Sequence, residues 1–320
     1  MRAVTRCIVK KYERRIIFLA FTLVFLLNAC QGASETDITI TDNPEPTQKA
    51  TSVIPTSKPH EAPVATAATI PPHSEPTIAA APKTLSDEAL IEGVDWFLLI
   101  EDQSGEVLLT KNENESFQPA SMIKIPTAMV VLKILEEQGK TINDLYNYGI
   151  SDRNFADLIE AMVVRSEENA TDALEFFARG DDHLRKTLDE WGLQQTTFDP
   201  RRSTAGNLMT SLRLLKDGSV LGPEYNQFLL DLMGKYTEND ETLLGKFNNA
   251  LPECQFLNKR GTLLNPTIVA DMGILICGEQ TWFFVVAGTP AADSNVTFED
   301  IQASIEAFAL SFSESITSLP

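Results

Sequence analysis

The sequence predicts an α+β domain: one antiparallel five-stranded sheet built from both chain ends, with an all-helical lobe inserted between them. Three observations carry this. Two short strand-like runs stand early, at Asp95 to Glu101 and Glu106 to Lys111. Three more stand late, at Gln255 to Lys259, Ile268 to Cys277 and Thr281 to Gly288, rich in Val, Ile and aromatic residues. Between them the apolar residues recur at helical spacing.

The amino end comes first. Residues 1–29 carry Arg2, Arg6, Lys10, Lys11, Arg14 and Arg15 against Glu13, followed by the uncharged run Ile16 to Leu27 and then Leu27-Asn28-Ala29-Cys30. A basic start, a short apolar run and small residues before a cut describe a secretory signal too short to span a bilayer. Leu-x-Ala-Cys resembles the bacterial lipobox, which implies that Cys30 becomes the lipidated first residue and ties an extracytoplasmic protein to the cell membrane. Processing there removes a net +5 from the chain's −19 and leaves −24. Such a charge repels nucleic acid.

Residues 30–84 form a tether. The stretch from Gln31 to Thr84 holds nine of the 17 prolines amid Thr, Ala, Ser and Glu. It has too little apolar surface to offset chain entropy, so an extended, semi-stiff linker is expected.

Residues 85–320, about 235, suffice for one large domain. Leu85 to Ile91 reads as a short helix, and Asp102-Gln103-Ser104-Gly105 as the turn between the first two strands. Ser121-Met122-Ile123-Lys124 opens an apolar run to Leu135, which places Ser121 and Lys124 on one face of a helix start. Everything from there to about Gly234 reads as helical. Phe155, Leu158, Ile159, Met162 and Val163 give one apolar stripe; Leu184, Leu188 and Trp191 another, stopped by Gly192. Leu208, Leu212 and Leu215 follow, closed by Asp217-Gly218, then Phe228, Leu229 and Leu232, ending at Gly234. The last helix, Phe298 to Ile316, carries Ile301, Ile305, Phe308 and Phe312. A hairpin turning at Asn265-Pro266 pairs residues whose numbers sum to 531, which sets Cys254 against Cys277 within disulfide reach.

Three segments bear chemistry, in order: Ser121-x-x-Lys124, Ser166-Glu167-Glu168-Asn169 and Lys259-Arg260-Gly261-Thr262. Ser-x-x-Lys, Ser-Asp-Asn and Lys-Thr-Gly are the motif set of class A β-lactamases and penicillin-binding proteins, and the chain from Leu85 to Ser315 resembles that family. The resemblance implies a β-lactamase/transpeptidase-like fold and a serine hydrolase that is acylated by β-lactams or D-Ala-D-Ala-like cell-wall peptides. No His/Cys cluster suggests a zinc site, so neither metal nor cofactor is expected, and the expected form is a monomer. Ser121 would be the nucleophile and Lys124 the general base. Ser166 would pass a proton to the leaving nitrogen, and Lys259 would supply positive potential. The N–H groups of Ser121 and Thr262 would form the oxyanion hole, with Gly261 beside them.

The departures are as informative. Aligned without a gap, Glu168 stands where the family has an asparagine that donates to substrate; shifting by one uses Asn169 but misplaces Ser166. Arg260 replaces the threonine of Lys-Thr-Gly, and either binds a substrate carboxylate or points away. The family's loop glutamate, which activates the hydrolytic water, has no counterpart in the short stretch Trp191 to Arg202, where Arg202 falls near its place and Asp199 is the one carboxylate. Deacylation is therefore expected to be impaired. A non-hydrolytic penicillin-binding or peptide-sensing lipoprotein is the alternative. His183, the one histidine of the domain, is expected on a helix surface and not in a Ser-His-Asp site.

Overall fold

The computed structural model describes residues 85–179, 183–238 and 243–317. The signal, Cys30, the tether to Thr84 and the side chain of His183 lie outside them. The sheet consists of β1 (Val94–Asp102), β2 (Val107–Lys111), β7 (Gln255–Leu264), β8 (Thr267–Cys277) and β9 (Gln280–Pro290) in the order β2-β1-β9-β8-β7. Every pairing in it is antiparallel. The β7–β8 register runs from Gln255↔Ile276 to Leu264↔Thr267, so paired numbers sum to 531 as expected. A disulfide joins Cys254 to Cys277, with Cα atoms 4.4 Å apart.

Both sheet faces are covered, which is why the late strands are apolar at nearly every position. Ile268, Ala270, Met272 and Ile274 of β8 enter the core shared with the helical lobe. Val269, Leu275 and Cys277 point to the opposite core, built with α7 (Lys246–Ala250), the residues flanking it from Leu243 to Leu251, and α8 (Phe298–Thr317). There Phe247, Phe284 and Phe312 meet with ring centroids 5.0–5.6 Å apart. Fully burying one such ring contributes roughly 1.5–3 kcal/mol.

The lobe holds α1 (Lys124–Glu137), α2 (Phe155–Val163), α3 (Glu168–Arg179), α4 (His183–Glu190), α5 (Ala205–Asp217) and α6 (Pro223–Glu238). Helix α1 is its axis, with every residue from Lys124 to Leu135 except Lys133 buried. Asn154 caps α2 through the Asp157 N–H (2.8 Å), and Thr204 caps α5 through the Asn207 N–H (3.0 Å). Gly218 ends α5 in the left-handed region, φ 62°.

Three local expectations are corrected. Leu85 to Ile91 is a turn, closed by the Leu90 N–H on Asp87 O (2.8 Å), because seven residues are too few to hold a helix without a packed stripe. Two small hairpins interrupt the helical lobe, β3 (Gly149–Ile150) with β4 (Arg153–Asn154), and β5 (Thr197–Phe198) with β6 (Arg201–Arg202). Gly234 does not stop α6. It lies inside the helix, and a Cβ there would come 3.4 Å from the Leu257 side chain on β7.

Candidate active site

Ser121 sits in a 3-10 turn, Ala120–Ile123, that leads directly into α1, so Lys124 is the first residue of the helix proper. Ala120 before it is left-handed, φ 48°. The segment ahead is fixed from two sides. Phe117 exchanges backbone hydrogen bonds with Ser203, at 2.9 and 3.1 Å, and the Ala120 N–H donates to the Gln118 side chain at 3.0 Å. Edge strand β7 closes on this turn at Gly261. A Cβ at Gly261 would lie 2.9 Å from Pro119 O and 3.1 Å from Ser121 N, so only glycine permits the approach.

Four side chains converge here: Ser121, Lys124, Ser166 and Glu168. Lys124 Nζ donates to Ser166 Oγ at 3.1 Å, to Ser166 O at 2.7 Å and to Glu168 Oε1 at 2.5 Å. Ser166 Oγ in turn donates to Ser121 Oγ at 2.9 Å. Ser166 holds a left-handed backbone, φ 55°, at a cost of order 1–3 kcal/mol for a residue with a Cβ; its two bonds to Lys124 offset part of it. Lys124 is fully buried, and so is Lys259 on β7. By strand alternation Lys259 shares the lobe-facing side of β7 with Leu257 and Gly261.

Burial pushes the Lys124 ammonium below its ordinary pKa; Glu168 pulls it back up, and the positive charge of Arg201 adds to the lowering. Burial pushes Glu168 the other way, yet hydrogen bonds from Arg201 and Lys124 hold its carboxyl below the usual carboxylate range.

A family model described as the β-lactamase enzyme family matches residues 92–306. The chain belongs to that family. No curated protein sequence matches it at a significant level. Among solved structures it is similar to PBP-A, at 18% identity and TM-score 0.60, over 72% of this chain and 92% of that one. A class A β-lactamase from Bacteroides cellulosilyticus aligns at 15% identity and TM-score 0.59, over 71% and 93% of the two chains. The TLA-1 extended-spectrum β-lactamase aligns at 17% and 0.58, over 70% and 94%.

Within this β-lactamase-family fold the uncertain motif positions separate. Glu168 reaches Lys124, whereas Asn169 lies exposed on α3 with its side chain outside the Lys124 group. Arg260 turns away from the nucleophile, its Nη2 donating to Gln302 of α8 at 3.3 Å, because alternation on β7 assigns it the opposite face from Lys259. Asp199 sits at the tip of the β5–β6 hairpin, beside a cis Pro200, lining a cavity of about 440 Å³ with Leu184, Leu188 and Phe198. Arg202 is exposed and lines a different cavity, with Phe117 and Gln118.

The sequence reading missed Arg201. Its guanidinium donates to Glu168 Oε2 at 2.7 Å, to Glu175 Oε1 at 3.2 Å and to Asp172 Oδ1 at 3.3 Å. The signal was present: carboxylates at 168, 172 and 175 form an i, i+4, i+7 stripe on α3, which calls for a cation opposite.

Proposed function

We propose that the chain is an extracytoplasmic serine hydrolase whose Ser121 is acylated by β-lactams or D-Ala-D-Ala-like peptides and whose acyl-enzyme is released slowly. The observation that carries this is the unbroken relay from buried Lys124 through Ser166 Oγ to Ser121 Oγ. Run in reverse, the relay takes the Ser121 proton to neutral Lys124 as the oxygen attacks the amide carbonyl. The charge that develops on the carbonyl oxygen is held by the N–H groups of Ser121 and Thr262, beside Gly261. The C–N bond then breaks, Ser166 gives its proton to the leaving nitrogen, and Lys124 reprotonates Ser166. Lys259 adds positive potential that favours neutral Lys124 and a substrate carboxylate. That a similar PBP-A variant is described as an acyl-enzyme complex with penicillin G supports a β-lactam as acyl donor.

A second reading, a penicillin-binding or peptide-sensing protein that never turns over, draws on Glu168, whose two oxygens are both engaged, by Lys124 and by Arg201. Labelling with a fluorescent penicillin tests the common core of both. One adduct per chain is expected, lost completely in Ser121→Ala; a label that survives this change, or no label on the wild-type chain, would reject the proposal.

The location rests on Leu27-Asn28-Ala29-Cys30. The lipidated Cys30 that the lipobox resemblance implies is what would hold the domain at the membrane. Cys30→Ala should move the protein from the membrane fraction to the soluble one, or leave it unprocessed. A wild-type chain found soluble, unmodified and starting elsewhere would contradict the anchor.

A further inference from the structure

We propose that Arg201 is the positioning residue of this site: by gripping the Glu168 oxygen that Lys124 does not hold, it sets the charge state of the catalytic lysine and with it the rate of acylation. The proposal rests on the reading of Lys124 as general base. The short β5–β6 hairpin presents one guanidinium to a stripe of three carboxylates on α3, and the first of these also touches Lys124. The charged groups that act on Lys124 are Glu168 and Glu175 of α3 and Arg201 of β6, with Asp172 reached through Arg201; β7, which closes on the Ser121 turn, carries buried Lys259 on its lobe-facing side.

Glu168 thus lies between two cations and is shared by them. Its side chain is 57% exposed, but Lys124 is completely buried, Arg201 is 20% exposed and Glu175 6% exposed, so this network is screened less than a surface ion pair. Removing Arg201 would act on Lys124 twice, in one direction. The ammonium would lose a repelling charge, and Glu168 would turn its whole charge to Lys124. Both raise the lysine pKa and shrink the neutral fraction able to take the Ser121 proton. Removing the charge of Glu175 should act in the opposite sense, since that carboxylate favours the ammonium.

The test is an NMR titration of the full mature domain carrying ¹³C-labelled lysines, with the Lys124 ε-carbon assigned by its loss in Lys124→Ala. Arg201→Gln should raise the Lys124 pKa and shrink its neutral fraction, and Glu175→Gln should lower it, each read as a moved titration midpoint. An unmoved or lowered value in Arg201→Gln, with or without a fall in Tm, would mean that Arg201 only staples the hairpin to α3 and would overturn the proposal. If Arg201→Gln does not fold, the uncharged Arg201→Met decides: a Lys124 value unmoved or lowered overturns it. The titration needs no substrate. A wild-type chain that resists fluorescent penicillin would therefore reject the proposed function, while the role of Arg201 is judged by the lysine alone.

Discussion

Replacing Lys124 with alanine should slow acylation of Ser121 by about 10²–10⁴-fold, the loss typical of a positioned proton acceptor. The fold should persist. Lys124 is buried at a desolvation cost that alanine does not carry, and Glu168, which would otherwise be left as an unpaired charge, keeps Arg201. Ser166 Oγ would still touch Ser121 Oγ but would have no base behind it. Stopped-flow labelling at saturating fluorescent penicillin checks the rate, and circular dichroism checks the fold. Acylation within threefold of wild type in a folded Lys124→Ala chain would mean that another group takes the proton.

The second large effect falls on release. The acyl-enzyme should persist about 10²–10⁴-fold longer than one served by a well-placed general base for water. Three features lead to this. Glu168 is the one carboxylate bonded to Lys124 among the described residues, and its pKa is held down by Arg201 and Lys124 against the pull of burial, which weakens it as a base. Both its oxygens already accept hydrogen bonds from those cations. Asp199, the other carboxylate that the short stretch offers, belongs to a hairpin tip and a cavity bordered by α4. Asp199→Asn should therefore leave the lifetime of the adduct unchanged within about twofold, and a lengthened lifetime would assign it the water.

How much of this was legible in the sequence differs by element. Strand pairing around Lys259 was, because Asn265-Pro266 fixed a turn and alternation fixed the face; the register and the partners of Cys254 and Cys277 follow from those alone. The position of Ser121 at a helix entry was also legible, since the apolar run after it is buried on all sides. The end of α6 was not. Gly234 reads locally as a stop, and only packing against Leu257 shows that a helix continues through it. The choice between Glu168 and Asn169 depends on which side chain reaches Lys124 across the lobe, a distance that no local pattern encodes. Arg260 illustrates the same limit: its face is set by strand alternation, but its partner Gln302 is 42 residues away on α8. Arg201 escaped notice because its three partners lie 26 to 33 residues earlier on another element.

Acylation of Ser121 should be intact while release is slow. Intact-protein mass spectrometry after mixing with excess benzylpenicillin, sampled from seconds to hours beside an assay of free penicilloate, measures both steps at once. The expected result is one added penicilloyl group, mapped to the peptide containing Ser121, reaching full occupancy and then persisting while little free product appears. Rapid accumulation of free penicilloate with the chain unmodified at steady state, or no adduct at any time, would contradict it.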